Sequence, residues 1–106
     1  MIKARMYWPR LRMEISGHAG YDENGKDIVC AGVSALLYAL AAVLEDAEKR
    51  GRTTAELEES EGAAVIWADP GMGSLNEVKA YFRMCVKGIK VIQEQYPQHV
   101  EIKEVQ

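Results

Sequence analysis

From Asp27 to Gly51 the chain sets Val29, Val33, Leu36, Leu40, Val43 and Ala47 at three- and four-residue steps, and Leu37 and Leu44 widen the same stripe. That period predicts one long amphipathic helix. Asp27 suits its N-cap, and Gly51 stops it at about Arg50. A helix this apolar on one side has to bury that side against other elements. No uninterrupted apolar run reaches the ~18–20 residues that span a bilayer. The best candidate, Ile28 to Leu44, lacks the basic flank and cleavage site of a signal peptide, so no membrane role is expected.

The remaining segments read as strands and a second helix. Ile2, Ala4 and Met6 alternate with Lys3, Arg5 and Tyr7, which predicts a strand from Met1 to Trp8. Pro9-Arg10 breaks it, and Leu11 to Ile15 alternates again as the second arm of a hairpin. Gly17 to Lys26, with its glycines, Asp22 and Asn24, reads as a loop. Thr54–Glu59 and Ala63–Ala68 predict a second hairpin turning at Glu61-Gly62, and Asp69 to Gly73 is turn chemistry. Ser74 and Glu77 have the spacing of a capping box. Val78, Phe82, Cys85, Ile89 and Ile92 form the buried stripe of the helix that follows, which Pro97 ends at Tyr96. Val100, Ile102 and Val105 predict a closing strand. The order ββαββαβ implies an α+β fold with two helices packed on one face of a mostly antiparallel sheet. At 106 residues the chain is expected to form a single domain spanning 1–106.

The chemistry concentrates where the loop enters the first helix. Cys30 falls in the first turn, where unpaired N–H groups and the macrodipole favour negative charge and so favour the thiolate. His18, one of two histidines, sits in the loop leading there, flanked by glycines at 17 and 20 that let the backbone fold back. A nucleophile and a base brought together by a loop are the minimum for cysteine-based acyl transfer. A free cysteine is more often a small buried hydrophobe, and Cys85, mid-helix on the apolar stripe, is read that way. Asp27 has two readings: an N-cap accepting from Val29 or Cys30 N–H, or the third group of a triad that orients His18. Ser34, one turn after Cys30, either bonds the sulfur or bonds back to the Cys30 carbonyl. His99, placed in the closing strand with no nucleophile near it in sequence, is given no role.

GHAGY at 17–21, then Gly25-Lys26-Asp27-Ile28-Val29-Cys30-Ala31, then Val33-Ser34-Ala35-Leu36, resembles the ribosomal-processing cysteine protease family, Prp. Gly88 to Ile92 and Tyr96 to Ile102 are similar to that family's last helix and closing strand. One departure is Gly32, where alanine is expected after the Cys-Ala pair. The resemblance implies a homodimeric cysteine endopeptidase with Cys30 as nucleophile and His18 as base, supported by Gly17, Asp27 and Ser34. It implies no metal and no organic cofactor. Its substrate would be the short N-terminal extension of large-subunit ribosomal protein twenty-seven or, in phage-encoded relatives, a capsid or scaffold protein. Backbone N–H groups at the helix start, Cys30 among them, are the expected oxyanion donors.

Bulk properties narrow the alternatives. Thirteen basic against sixteen acidic residues, a net charge of −3, give no reason to expect nucleic-acid binding. Two cysteines far apart make neither a disulfide framework nor a zinc site, so a reducing cytoplasmic compartment is expected. Two other functions fit the same residues. A thiol redox enzyme would need a resolving cysteine, for which Cys85 is poorly placed. A non-enzymatic dimeric module acting in ribosome assembly would need neither Cys30 nor His18.

Overall fold

A computed structural model describes residues 1–23 and 25–106. Asn24, one of the turn formers expected in the loop, lies outside the described residues. The elements run β1 (Ile2–Tyr7), β2 (Arg12–Ser16), α1 (Ile28–Lys49), β3 (Thr53–Ser60), β4 (Ala63–Pro70), α2 (Leu75–Gln95) and β5 (Val100–Val105). The strands form one sheet in the order β3-β4-β2-β1-β5. All pairings are antiparallel except β1 with β5, which is parallel and sets Ile2 against Val100. The expected ββαββαβ fold, with a mostly antiparallel sheet covered by two helices, is the one observed.

Alternation builds the sheet's inner face. Ile2, Ala4 and Met6 of β1, Met13 and Ile15 of β2, Ile66 and Ala68 of β4, and Val100 and Ile102 of β5 are buried in one core. Lys3 and Arg5 of β1 and Glu56 and Glu58 of β3 stay exposed. Against the inner face, α1 lays Val29, Val33, Leu37, Leu40, Leu44 and Ala47, and α2 lays Val78, Phe82, Cys85, Val86 and Ile89. Side chains such as Phe82, Val78 and Ile89 are fully buried, each worth roughly 1.5–3 kcal/mol of apolar transfer. By length and mean hydropathy, 2.1 in its most apolar window, α1 is long and apolar enough to cross a membrane. In this α1 differs from the expectation drawn from unbroken apolar runs. Its buried residues are those of a core helix.

Several local expectations shift. The first break is a 3₁₀ turn, Trp8–Arg10, closed by Leu11 N–H donating to the Trp8 carbonyl at 3.2 Å. Leu37 and Leu44 carry the α1 stripe, whereas Val43 is exposed, because the sheet and α2 together meet a face rotated away from it. β4 continues through Asp69 to Pro70, which is tolerated at the strand's last position, opposite Thr53. The capping box does not form. Ser74 is the N-cap, but its side chain makes no cap bond. Glu77 is drawn instead to the Arg50 guanidinium at 3.0 Å and the Tyr81 hydroxyl at 2.5 Å.

The two helices approach through glycines. A Cβ at Gly32 would meet Ile92 Cδ1 at 3.2 Å, and one at Gly88 would meet Leu36 Cδ2 at 2.6 Å. Gly32, the departure noted in the motif, thus gives Ile92 of α2 room against α1. Gly88→Ala gains about 1 kcal/mol of helix propensity, but forcing Leu36 aside costs ~1–3 kcal/mol. Urea denaturation is expected to show a net loss of about 1 kcal/mol. In a Leu36→Ala background, the same substitution should become neutral or stabilising.

Candidate active site

β2 ends at Ser16, and the chain must turn sharply to cross the end of the sheet. Gly17 makes that turn at φ +90°, where a Cβ would lie 2.4 Å from the Met1 carbonyl oxygen. Only glycine fits such a contact. Gly17 N–H donates to the Gly62 carbonyl at 2.9 Å, tying the loop to the β3–β4 turn. His18 is exposed at this junction, with its Nε2 against Gly62, where a Cβ would come within 3.3 Å.

Cys30 is the third residue of α1 and half-buried. His18, Cys30 and Ser34 line two adjoining clefts of about 230 and 480 Å³. The smaller has an apolar floor of Ile2, Ile15, Val33 and Leu37, and Glu59 stands at its edge beside Tyr38. The larger carries Asp22, Asp27 and Glu61. Ser34 is exposed, one turn beyond the sulfur. His18 and Cys30, neighbours only by inference in the sequence, face common space.

Asp27 accepts from Val29 and Cys30 N–H through Oδ1, both at 3.0 Å. Its Oδ2 accepts from Tyr21 N–H at 3.0 Å and Asp22 N–H at 3.3 Å. The cap reading therefore stands, and the second oxygen straps the loop beyond His18 rather than the imidazole. Burial pushes this carboxyl's pKa up, but the bonds from Cys30, Tyr21, Asp22 and Val29 N–H outweigh it and hold it below the ordinary 3.8. A pKa depressed by folding adds stability that is complete above the unfolded value and is lost as pH falls through the folded one. The strap therefore weakens only below about pH 3.8.

That cap also revises the expected oxyanion donors. Val29 and Cys30 N–H are engaged by Asp27, and Ala31 N–H by the Asp27 carbonyl at 3.0 Å. The N–H that does point at the sulfur belongs to the loop: Ala19 N–H donates to Cys30 Sγ at 3.3 Å. Ala19 is 2% exposed, and its carbonyl meets His99 Nδ1 at 2.8 Å. Tyr21 packs edge-on against Tyr96 and His99, with ring centroids 5.2 and 5.4 Å away. Sequence reasoning missed Ala19, Tyr96 and His99. His99 lies just before β5 rather than in it, and the parallel β1–β5 pairing brings it beside the loop. Cys85, by contrast, is buried and donates weakly to the Leu36 carbonyl at 3.7 Å, and burial pushes its thiol up to about 12.

Asp27→Asn separates the two functions of the carboxylate. An asparagine oxygen can still cap Val29 and Cys30, but its NH₂ would then face the Tyr21 and Asp22 N–H groups, donor against donor. Native-state hydrogen exchange is expected to quicken at Tyr21 and Asp22 while Val29 and Cys30 stay protected. Thermal unfolding should change little, and turnover should fall. Unchanged exchange at Tyr21 would mean the loop holds without the strap.

Residues 1–101 match the family of the cysteine protease Prp. No curated protein sequence matches the chain. Among solved structures, it is similar to the ribosomal processing protease Prp from S. aureus with a covalently linked product peptide, at 20% identity and a TM-score of 0.82, covering 99% of this chain and 100% of that one. The same S. aureus protease with a substrate peptide superposes at a TM-score of 0.74 and 19% identity, with 99% and 100% covered. SMU.848 from Streptococcus mutans is 28% identical at a TM-score of 0.69, over 99% of this chain and 94% of its own. These likenesses agree with the fold described above. With the family match running from the first strand into the last, the chain belongs to the cysteine protease Prp family.

Proposed function

We propose that the protein is an endopeptidase that cleaves a protein chain through Cys30 and His18, and that its substrate is the N-terminal extension of large-subunit ribosomal protein twenty-seven. The observation carrying this reading is that both side chains open onto the same clefts while Ala19 N–H is aimed at the sulfur. His18 takes the thiol proton, and the sulfur bonds to the scissile carbonyl carbon. The tetrahedral oxyanion accepts from Ala19 N–H, which is already turned toward the sulfur. The C–N bond breaks as His18 returns its proton to the leaving amine, leaving a thioester. Water, deprotonated by His18, then attacks; the C–S bond breaks and the thiolate reforms. Gly17 fixes the loop's entry, Asp27 its exit, and Ser34 borders the sulfur.

The clefts suit such a substrate. The floor of Ile2, Ile15, Val33 and Leu37 accepts an apolar side chain, and Asp22, Glu59 and Glu61 at the edges attract a basic peptide. Ribosomal proteins carry positive charge to hold RNA, which favours them over a capsid or scaffold protein. The similar S. aureus enzyme is itself a ribosomal processing protease. The exposed apolar side chains of Ile28 and Val43 on α1 support a homodimer. Thiol redox chemistry is disfavoured because Cys85, buried and pushed up to about 12, is a poor resolving thiol.

Mass spectrometry of synthetic N-terminal peptides of the ribosomal protein, alongside peptides from phage capsid proteins, tests the substrate. Cys30→Ala should abolish cleavage, and His18→Ala should lower kcat by ~10²–10⁴-fold while moving KM little. Full cleavage by the Cys30 variant would overturn the reading. Cleavage of capsid peptides alone would reassign the substrate. Iodoacetamide should modify Cys30 in the folded protein at neutral pH and Cys85 only after unfolding; labelling of Cys85 first would contradict the burial on which that contrast rests.

A further inference from the structure

His99 touches the loop, and the Cys–His pair leaves it without a purpose. Its own backbone is fixed on both sides: its N–H donates to the Tyr96 carbonyl and its carbonyl accepts from Ile2 N–H, each at 2.9 Å. The imidazole packs against Tyr21 with the two rings nearly perpendicular, and Nδ1 lies 2.8 Å from the Ala19 carbonyl oxygen. A carbonyl oxygen only accepts, so Nδ1 carries the proton in this contact. At its other end, the same alanine donates N–H to the Cys30 sulfur. A single buried residue therefore links a ring anchored beside β5 to the sulfur at the start of α1, and His18 is attached directly before it.

We propose that His99 is a positioning residue for the cleavage reaction: its Nδ1–H fixes the Ala19 carbonyl, and with it the residue whose own N–H is held on the Cys30 sulfur and whose predecessor, His18, is held at the cleft. The inference rests on Cys30 being the nucleophile. Packing alone would be satisfied by any ring at this position. The hydrogen bond needs a donor at Nδ1, and the two demands come apart on substitution.

His99→Phe keeps the ring against Tyr21 and removes the donor. His99→Asn gives up the ring and places an amide N–H₂ close to where Nδ1 lies. The phenylalanine variant is expected to lose ~10- to 100-fold in kcat, as displaced reacting groups do, with KM moving less than about threefold. Its Cys30 should also react more slowly with iodoacetamide. The asparagine variant should recover most of both rates. In the wild-type protein, ¹⁵N spectra of the imidazole should show the Nδ1-protonated form of His99 at neutral pH. Wild-type kcat in His99→Phe, equal impairment in His99→Asn, or a neutral ring protonated at Nε2 alone would each overturn the proposal. If both variants unfold, the wild-type tautomer decides. Cys30→Ala is assayed in parallel. Cleavage by that variant means the nucleophile has been misassigned, whereas an inert Cys30→Ala beside a fully active His99→Phe removes only the role of His99.

Discussion

The site depends on one carboxylate. Asp27 is 9% exposed, and an ion so placed is costly unless its lone pairs are met. Backbone N–H groups from two segments meet them: Val29 and Cys30 at the helix start, Tyr21 and Asp22 in the loop. The positive end of α1 adds to that stabilisation. Because one side chain serves both segments, the helix that carries the sulfur and the loop that carries the imidazole cannot drift apart independently. A cap that would be unremarkable on any helix becomes here the joint between the two segments that line the same clefts.

Much of this was legible because it is local. The Asp27 cap, the helix it opens, the turn at Glu61-Gly62 and the end of α2 before Pro97 each follow from a few adjacent residues. What failed was local reasoning about positions governed by remote partners. Ser74 and Glu77 have capping spacing, yet Arg50 and Arg52 stand close enough to claim the glutamate, at 3.0 and 3.9 Å. Val43 has the right period but faces out, since period alone does not say which flank of a stripe the sheet and α2 will cover. Gly32 departs from the motif in a way that makes sense only once Ile92 is seen above it.

His99 shows the limit most plainly. Nothing near it in sequence marks it, and its neighbours Pro97 and Gln98 suggest a turn. Its place follows from two registers taken together: Lys3 opposite Ser16, and Ile2 beside Val100. These bring the end of β2 and the approach to β5 to the same end of the sheet, with β1 between them. That Cys30 and His18 line the same clefts was inferable because both lie on one continuous stretch. The residues behind that stretch come from the turn just before a strand that joins the sheet in parallel.

The β1–β5 pairing has a consequence for the order in which the molecule comes into being. Contacts between strands so distant along the chain form slowly, since a large loop must close before they are rewarded. Ile2 N–H finds the His99 carbonyl only when the last strand arrives. During vectorial synthesis, α1 and its cysteine emerge before the segment that backs the histidine loop. The loop carrying His18 is therefore backed only once β5 has joined the sheet, and a nascent polypeptide still threading out of its ribosome would carry the sulfur before that backing is in place.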